Sequence, residues 1–354
     1  MKANFSLKTG WRCYTFVSCV LARGDKMGTK KIDEKVLAVS QSADAVDLKS
    51  IDPDDATFRL SYGFDLEPLK ASIRRIGLIN PPLLRKRPDG RYQIISGYKR
   101  IRALQELGVS SAACQLVPPE TSDEACLLLS LYDNCAHREF NPIEKSLALN
   151  RLLSYYREEK IVSDFLPLLK LQPHITQIRA YQPLCLLDKE IRDALLQDII
   201  DIRTALRLAQ MDPESRECLA HLLISLRLSF SKQAEVISTV VAIGLRDGIS
   251  PRTMTGDPEI RSILTNDKLN WPQKGDAVLR ILREKRYPQL TAKEKQVKGM
   301  LSKVKLPHGI SITPPPFFED NCYCLSVYFA GWQELREKLN LLDTIIADDL
   351  PNLE

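Results

Sequence analysis

The sequence predicts an α+β protein with a small mixed α/β domain at residues 46–140, an all-α domain at 141–255 and a small α/β module at 256–354. Three observations predict it. Short strand-like runs alternate with helical spacing in the first part, punctuated by Gly and Pro. The second part switches to helical spacing throughout, with Asp, Asn and Pro at the helix starts. On either side of Pro314-Pro315-Pro316, short strand-like runs return and one amphipathic segment follows. A chain of 354 residues suits two or three domains.

Composition narrows the class. With 44% hydrophobic and 27% charged residues, a disordered or collagen-like chain is excluded. No run of ~18 apolar residues occurs, so no membrane span is expected. A net charge of +5 is too small to name a polyanion, and charge has to be read locally. Nine cysteines are scattered without a Cys-x-x-Cys pair, and Cys322 and Cys324 lack metal-site spacing. The four histidines also lie far apart, so no zinc site is expected. An odd number of thiols suits a reducing compartment, the cytoplasm. Residues 1–45 read as a disordered leader. Lys2, Lys8 and Arg12 before the apolar Tyr14–Ala22 weakly imitate a signal peptide, and Met27 offers an alternative start.

In the α/β part, Leu66, Leu69, Ile73 and Ile76 recur at helical spacing and Gly77 stops the helix. Pro81-Pro82 forces an extended chain. Leu83–Arg87 and Tyr92–Ser96 read as two strands joined by the turn Pro88-Asp89-Gly90. Gly97 follows directly, and Tyr98–Leu107 reads as a helix with Ile101, Leu104 and Leu107 inward and Gly108 as its stop. Ala112–Val117 is a further strand. Thr121 and Glu124 form a capping box for a helix through Leu131. Asn141-Pro142 with Glu144 opens the next helix.

Two constellations here carry chemistry. From Lys70 to Arg102 there are ten Lys+Arg and one acid, a net of +9 in 33 residues. Within that run, a strand ends, Gly97 lets the backbone come close, and a helix opens with Lys99, Arg100 and Arg102. Cations at a helix N-terminus have the wrong sign for its dipole, and a bound phosphate would reverse that penalty. Three surface cations on a solvated face are the alternative. The second constellation is Asp133-Asn134-Cys135-Ala136-His137-Arg138, ahead of the Asn141 cap. Asp133 and Asn134 offer hard oxygens for Mg²⁺. Asn134, His137 and Arg138 offer phosphate contacts. A polar helix-end loop is the bland alternative.

At these two boxes the chain resembles the ParB family of DNA-partition proteins. Leu69–Ile73 with Gly77-Leu78-Ile79-Asn80-Pro81 is similar to the family's opening box. Gly97–Ala103 resembles its Gly-Glu-Arg-Arg-x-Arg-Ala box, which contacts cytidine triphosphate. Asp133–Arg138, followed by Asn141–Glu144, resembles its Glu-Asn-x-x-Arg box and the helix after it. The resemblance spans roughly residues 46–210. Tyr98 stands where the family has Glu and Lys99 replaces Arg, which loses the planar fork. Asp133 shortens a Glu, and Ala136 and His137 replace Gln and Arg. Phosphate binding therefore transfers more readily than hydrolysis does. The same fold occurs in sulfiredoxins, whose reactive Cys in the glycine box is absent here.

The resemblance also implies a helix-turn-helix. Asp164–Leu169 reads as its first helix, Lys170-Leu171-Gln172 as the turn, and Pro173 as the start of a recognition helix running from about His174 to Gln182. His174, Thr176, Gln177 and Arg179 would then reach base edges. Further helices are read at Asp188–Leu196, Ile202–Ala209 capped by Asp201, Asp212–Leu226 and Ser231–Leu245. At the C-terminus, a basic helix lies between Trp271-Pro272 and Tyr287-Pro288, Ile310–Thr313 and Cys322–Phe329 read as strands, and Trp332–Ile346 as a helix.

These expectations describe a cytoplasmic, nucleoid-associated protein. It would bind double-stranded DNA and carry CTP or another nucleoside triphosphate with Mg²⁺ at Gly97, Lys99, Arg100, Arg102, Asn134, His137 and Arg138. A homodimer and a Walker-type partition ATPase are the implied protein partners. Weak CTPase turnover is left open and no catalytic residue is assigned. Two alternatives stand: a transcription regulator of the same superfamily, and a nucleotide-handling enzyme such as a phosphotransferase or nuclease on the same fold.

Overall fold

Turn chemistry closes the central hairpin. Pro88-Asp89-Gly90 reverses the chain between β2 (Leu83–Lys86) and β3 (Tyr92–Ser96), with Gly90 at φ +83°. The computed structural model describes residues 43–348, apart from 53, 303, 305, 316, 317 and 319–321. The chain divides into two compact units, one running to Gln210 and one from Met211.

The first unit is built on a four-stranded sheet of order β1-β4-β2-β3, with β1 at Ala43–Asp47 and β4 at Ser111–Val117. β1 runs antiparallel to β4, β4 parallel to β2, and β2 antiparallel to β3 with a bulge between Leu83 and Leu84. Helices cover both faces. On one face Leu84 and Ile94 pack with Val46, Ile73, Ile101 and Leu104, beneath α1 (Glu67–Ile76) and α2 (Tyr98–Glu106). On the other, Leu83, Ile95 and Val117 join Leu127, Leu131, Leu149, Ile161, Phe165 and Ile178. A sheet buried on both faces explains the doubled apolar pairs Leu83-Leu84 and Ile94-Ile95.

That second core crosses the predicted boundary at residue 140. α3 (Asp123–His137), α4 (Pro142–Leu152) and α5 (Ile175–Tyr181) share it with the sheet, so the first helices of the expected all-α domain belong to the α/β unit. The predicted 141–255 domain is therefore split at 210. α6 (Lys189–Leu196) and α7 (Ile202–Ala209) complete the first unit.

The second unit packs α8 (Pro213–Leu226), α9 (Phe230–Asp247), α10 (Pro251–Thr255), α11 (Pro258–Leu264) and α12 (Trp271–Arg286) around buried Leu223, Val240, Met254, Ile260 and Leu282. α13 (Pro288–Leu301), the antiparallel pair β5 (Ile310–Thr313) and β6 (Cys324–Val327), and α14 (Trp332–Asp348) follow.

Several sequence expectations shift. Residues 43–45 of the expected leader belong to β1, and its remainder lies outside the described residues. The cap of α3 is Ser122, whose hydroxyl accepts from the Ala125 amide; Thr121 is buried and gives its carbonyl to Arg85 at 2.6 Å. α3 also runs six residues past the expected Leu131. The short helix expected at Asp164–Leu169 starts earlier, as a turn at Glu158–Lys160 that widens into a π-turn at Ile161–Phe165. Pro173 does not open α5; His174 is its N-cap residue, without a side-chain cap bond. Pro183 lies in a 3-10 turn, Gln182–Leu186, that continues from α5. Ile76, the last of the apolar residues recurring at helical spacing, is 61% exposed at the end of α1.

Loop residues 54–60 reach the sheet through Asp55. Its carboxylate accepts from the Thr57 amide at 2.9 Å and from the Thr57 hydroxyl, and pairs with Arg87. Burial pushes its pKa up, but the bonds from Thr57 and Gln93 and the nearby Arg87 outweigh burial, and the net is below the usual value. The stability this group contributes is complete above its unfolded pKa of ~3.9 and is lost as pH falls through the lower folded value. The gap in urea midpoint between wild type and Asp55→Asn should therefore be widest near neutrality and shrink below about pH 4. A gap that stayed constant down to the acid transition would mean the carboxylate is not favoured by its surroundings.

Candidate nucleotide and DNA interface

Gly97 creates the local geometry. It sits at φ +93° between β3 and α2, in the left-handed region, and a Cβ there would lie 2.9 Å from Pro82 Cβ. α2 then starts without a side-chain cap or an acid in its first turn, which leaves its amides and its positive end to an external anion. Lys99 and Arg102 flank that end, both half-buried. Among the described residues, Arg102 has no ion-pair or hydrogen-bond partner. Lys99 lies 4.8 Å from the centre of the Phe64 ring. Its pKa is pushed down by burial first and by Arg138 next, with Glu144 pulling the other way.

Arg100 points elsewhere. Its guanidinium donates to the carbonyls of Asn80 (2.8 Å) and Pro81 (3.2 Å) and lies 3.6 Å from the Asp133 carboxylate. Burial lowers its pKa, while Asp133 and Cys114 work against that. In this arrangement Arg100 braces the Asn80-Pro81-Pro82 segment against α2 instead of projecting outward.

The second constellation lies in the last turn of α3, not in a loop. Asp133 accepts from the Ser96 hydroxyl, which ties α3 to the end of β3. Asn134 donates to Ser130 O at 2.8 Å, and its Oδ1 accepts from Arg138 at 3.1 and 3.2 Å. Arg138 also binds Glu144 at 2.5 Å and the Ser61 hydroxyl at 3.2 Å, and lies over the Phe140 ring. His137 is exposed, with Nδ1 2.7 Å from Asp133 O.

The fit to a nucleotide is thus uneven. Gly97, the free amides, Lys99 and Arg102 form an anion-facing set. Arg100 and Arg138 are held by carbonyls and carboxylates. Asn134, expected as a Mg²⁺ ligand, gives its oxygen to Arg138, so of the expected pair only Asp133 offers a carboxylate to a cation. Among the described residues no group of three or more His, Cys, Asp or Glu gathers for a metal. A Mg²⁺ ion here would depend on ligands that arrive with a phosphate.

The basic run from Lys70 to Arg102 does not form one surface. Lys70 pairs with Glu67 and Glu106, Arg85 with Asp123, and Arg87 with Asp55. Arg74, Arg75, Lys86 and Arg91 are exposed and have no ion-pair partner among the described residues.

The predicted DNA contacts share one short helix. α5 is anchored by fully buried Ile178, with His174, Thr176 and Arg179 exposed and Gln177 half-buried. Thr176 and Arg179, three apart, lie on one side of the helix. His174 Nδ1 is 3.4 Å from the Thr176 hydroxyl. The preceding turn is set by Lys170 at φ +55°, which pairs with Glu139. Sequence reasoning missed the segment Ser61-Tyr62-Gly63-Phe64, which touches both constellations. Phe64 meets Tyr98 edge-on at 6.2 Å, and Arg59 donates to the Tyr98 hydroxyl at 3.1 Å. Gly63 was the only local signal there, and its partners are distant in sequence.

No described helix is long and apolar enough to cross a membrane. A family model for the ParB N-terminal domain matches residues 33–135. A probable chromosome-partitioning protein ParB of Pseudomonas putida is 38% identical over 87 residues, covering 25% of this chain and 29% of that one. A nucleoid occlusion protein of Geobacillus is 30% identical over 157 residues, covering 38% and 55%. The C-terminally truncated chromosome-partitioning protein ParB of Caulobacter crescentus has been solved with the centromeric parS site and with CTP-gamma-S. The first structure is 22% identical with a TM-score of 0.31, covering 54% of this chain and 96% of that one. The second is 24% identical with a TM-score of 0.24, covering 51% and 98%. The chain spans 29% to 55% of the length of the first curated relatives it matches. What the family match establishes for this chain is a ParB N-terminal domain at residues 33–135.

Proposed function

We propose that this is a DNA-binding protein of chromosome or plasmid partition that holds a nucleoside triphosphate, CTP first among them, by its phosphates at the start of α2. The observation that carries the reading is the uncapped, acid-free N-terminus of α2, opened by a left-handed glycine and flanked by Lys99 and Arg102. The resemblance of this box to the family's CTP box supports the choice of nucleotide. DNA would be met by α5 through His174, Thr176, Gln177 and Arg179, in keeping with nucleoid association. A homodimer belongs to the same reading. Its support is the apolar surface left open in the C-terminal module by Leu325, Tyr328, Phe329, Trp332, Leu339 and Leu341. A Walker-type partition ATPase is the protein partner the family implies.

Two titrations test the reading. Crosslinking of labelled CTP should weaken about 10- to 100-fold in Lys99→Ala or Arg102→Ala, the loss of one charge-assisted contact. DNA affinity should fall steeply with salt in the wild type, and less steeply in Arg179→Ala. A wild-type chain that neither crosslinks CTP nor retains duplex DNA at low salt would end the proposal.

A further inference from the structure

Four consecutive residues, Ser61-Tyr62-Gly63-Phe64, link the two ends of the first unit. Toward the anion site, the Ser61 hydroxyl accepts from Arg138 at 3.2 Å, and the Phe64 ring lies against Lys99 and Tyr98. The Tyr62 amide donates to Glu144 at 3.1 Å, and its carbonyl accepts from Asn141 at 3.1 Å. Glu144 is also the carboxylate that holds Arg138.

The same four residues grip α6. The Tyr62 hydroxyl donates to Asp193 at 2.8 Å, and the Arg192 guanidinium sits 4.7 Å from the Tyr62 ring centre. Gly63 has φ +62°, and a Cβ on it would lie 2.0 Å from Leu196 Cδ1, so this stretch is seated directly on α6. Arg192 in turn donates to Cys185 O at 3.4 Å, in the 3-10 turn that continues the candidate DNA helix α5. A continuous path of packed and hydrogen-bonded groups thus runs from Lys99 and Arg138 to the end of α5. Such a path couples two sites only if one element in it responds to both.

We propose that Tyr62 is a positioning residue that transmits occupancy of the anion site to α6 and the end of α5, through its paired backbone bonds to Glu144 and Asn141 and its phenol on Asp193. A phosphate that draws Lys99 or Arg138 toward α2 pulls on Phe64 and on Glu144, and both hold Tyr62 from one side. The phenol carries that displacement to Asp193. Burial and the Asp193 bond push the Tyr62 pKa up to about 12, so the phenol remains a donor at working pH. The proposal rests on the nucleotide reading above, and the test separates the two.

Hydrogen exchange of the full chain with and without CTP and Mg²⁺ gives the test. In wild type, CTP should slow exchange at residues 97–104 and also at 182–196. Tyr62→Phe keeps the ring on Arg192 and both backbone bonds. It should retain the first effect and lose the second. Asp193→Asn keeps an acceptor oxygen for the phenol and should retain both; Asp193→Ala should behave like Tyr62→Phe. In wild type CTP should also change DNA affinity by a factor of about 5 or more, and that factor should fall toward one in Tyr62→Phe. Unchanged protection at 182–196 in Tyr62→Phe and Asp193→Ala overturns the coupling and leaves the nucleotide reading intact. So does wild-type protection confined to 97–104. Absence of protection at 97–104 in wild type overturns the nucleotide reading, and the coupling with it.

Discussion

Replacing Glu144 by alanine should lower the stability of the first unit by about 3–5 kcal/mol, the cost of leaving one member of a buried pair alone. Glu144 is 1% exposed. One of its oxygens accepts from Tyr62 N, the other from Asn141 N and from Arg138. Alanine would strand the Arg138 guanidinium beside Asn134, unpair two backbone amides and remove half of the capping box at the start of α4. Glu144→Gln keeps the shape without the charge and should fall between the two. The measurement has to look at the right unit. Trp271 and Trp332 belong to the second unit, so neither gives a local readout of this event. Amide exchange of Pro142–Leu152 against urea does. A loss under about 1 kcal/mol, the scale of an exposed ion pair, would show that water already shares this carboxylate.

Gly97→Ala should cost about 2–5 kcal/mol and weaken any anion binding at α2 with it. Two terms add. A left-handed backbone costs an L-residue roughly 1–2 kcal/mol, and crowding a packed site costs roughly 1–3 kcal/mol. The crowding is specific, because the new methyl group would meet Pro82 Cβ at 2.9 Å and Pro82 Cα at 3.0 Å. Gly90 supplies the control: it has φ +83° and nothing within 4 Å of a Cβ, so Gly90→Ala bears the backbone term alone. Equal losses in the two variants would mean that Pro82 yields easily and that the Gly97 junction is not tightly set.

Much of the sheet was legible because its signals are local. Pro88-Asp89-Gly90 marks the hairpin whatever surrounds it, and Gly97 after Ser96 marks the strand-to-helix switch. The α4 start at Asn141-Pro142 was legible for the same reason. What escaped depends on partners far away in sequence. Tyr62 bonds to residues 82 and 131 positions away, and nothing between Ser61 and Phe64 announces that. The direction of Arg100 escaped too: its position at a helix start favours an anion, but carbonyls at Asn80 and Pro81 lie closer. Asp133–His137 read as a loop because polar side chains are as common in a last helical turn as beyond it. α13 went unread although Pro288 marks its start, because its Lys- and Gln-rich sequence leaves Val297 as its one buried residue. β1 escaped because Ala43-Asp44-Ala45 lacks the branched side chains that mark a strand.

The place of β1 at the margin of the sheet bears on how the chain is handled in the laboratory. A shortened version beginning at residue 46 would follow the domain limit that the sequence suggests. It would strip Ala113–Gln115 of Ala43–Ala45, the neighbours that occupy their outer side. Those unpaired amides and carbonyls would be open to a neighbouring molecule, so the trimmed protein would tend to precipitate by strand-to-strand association although every residue of the anion site was retained.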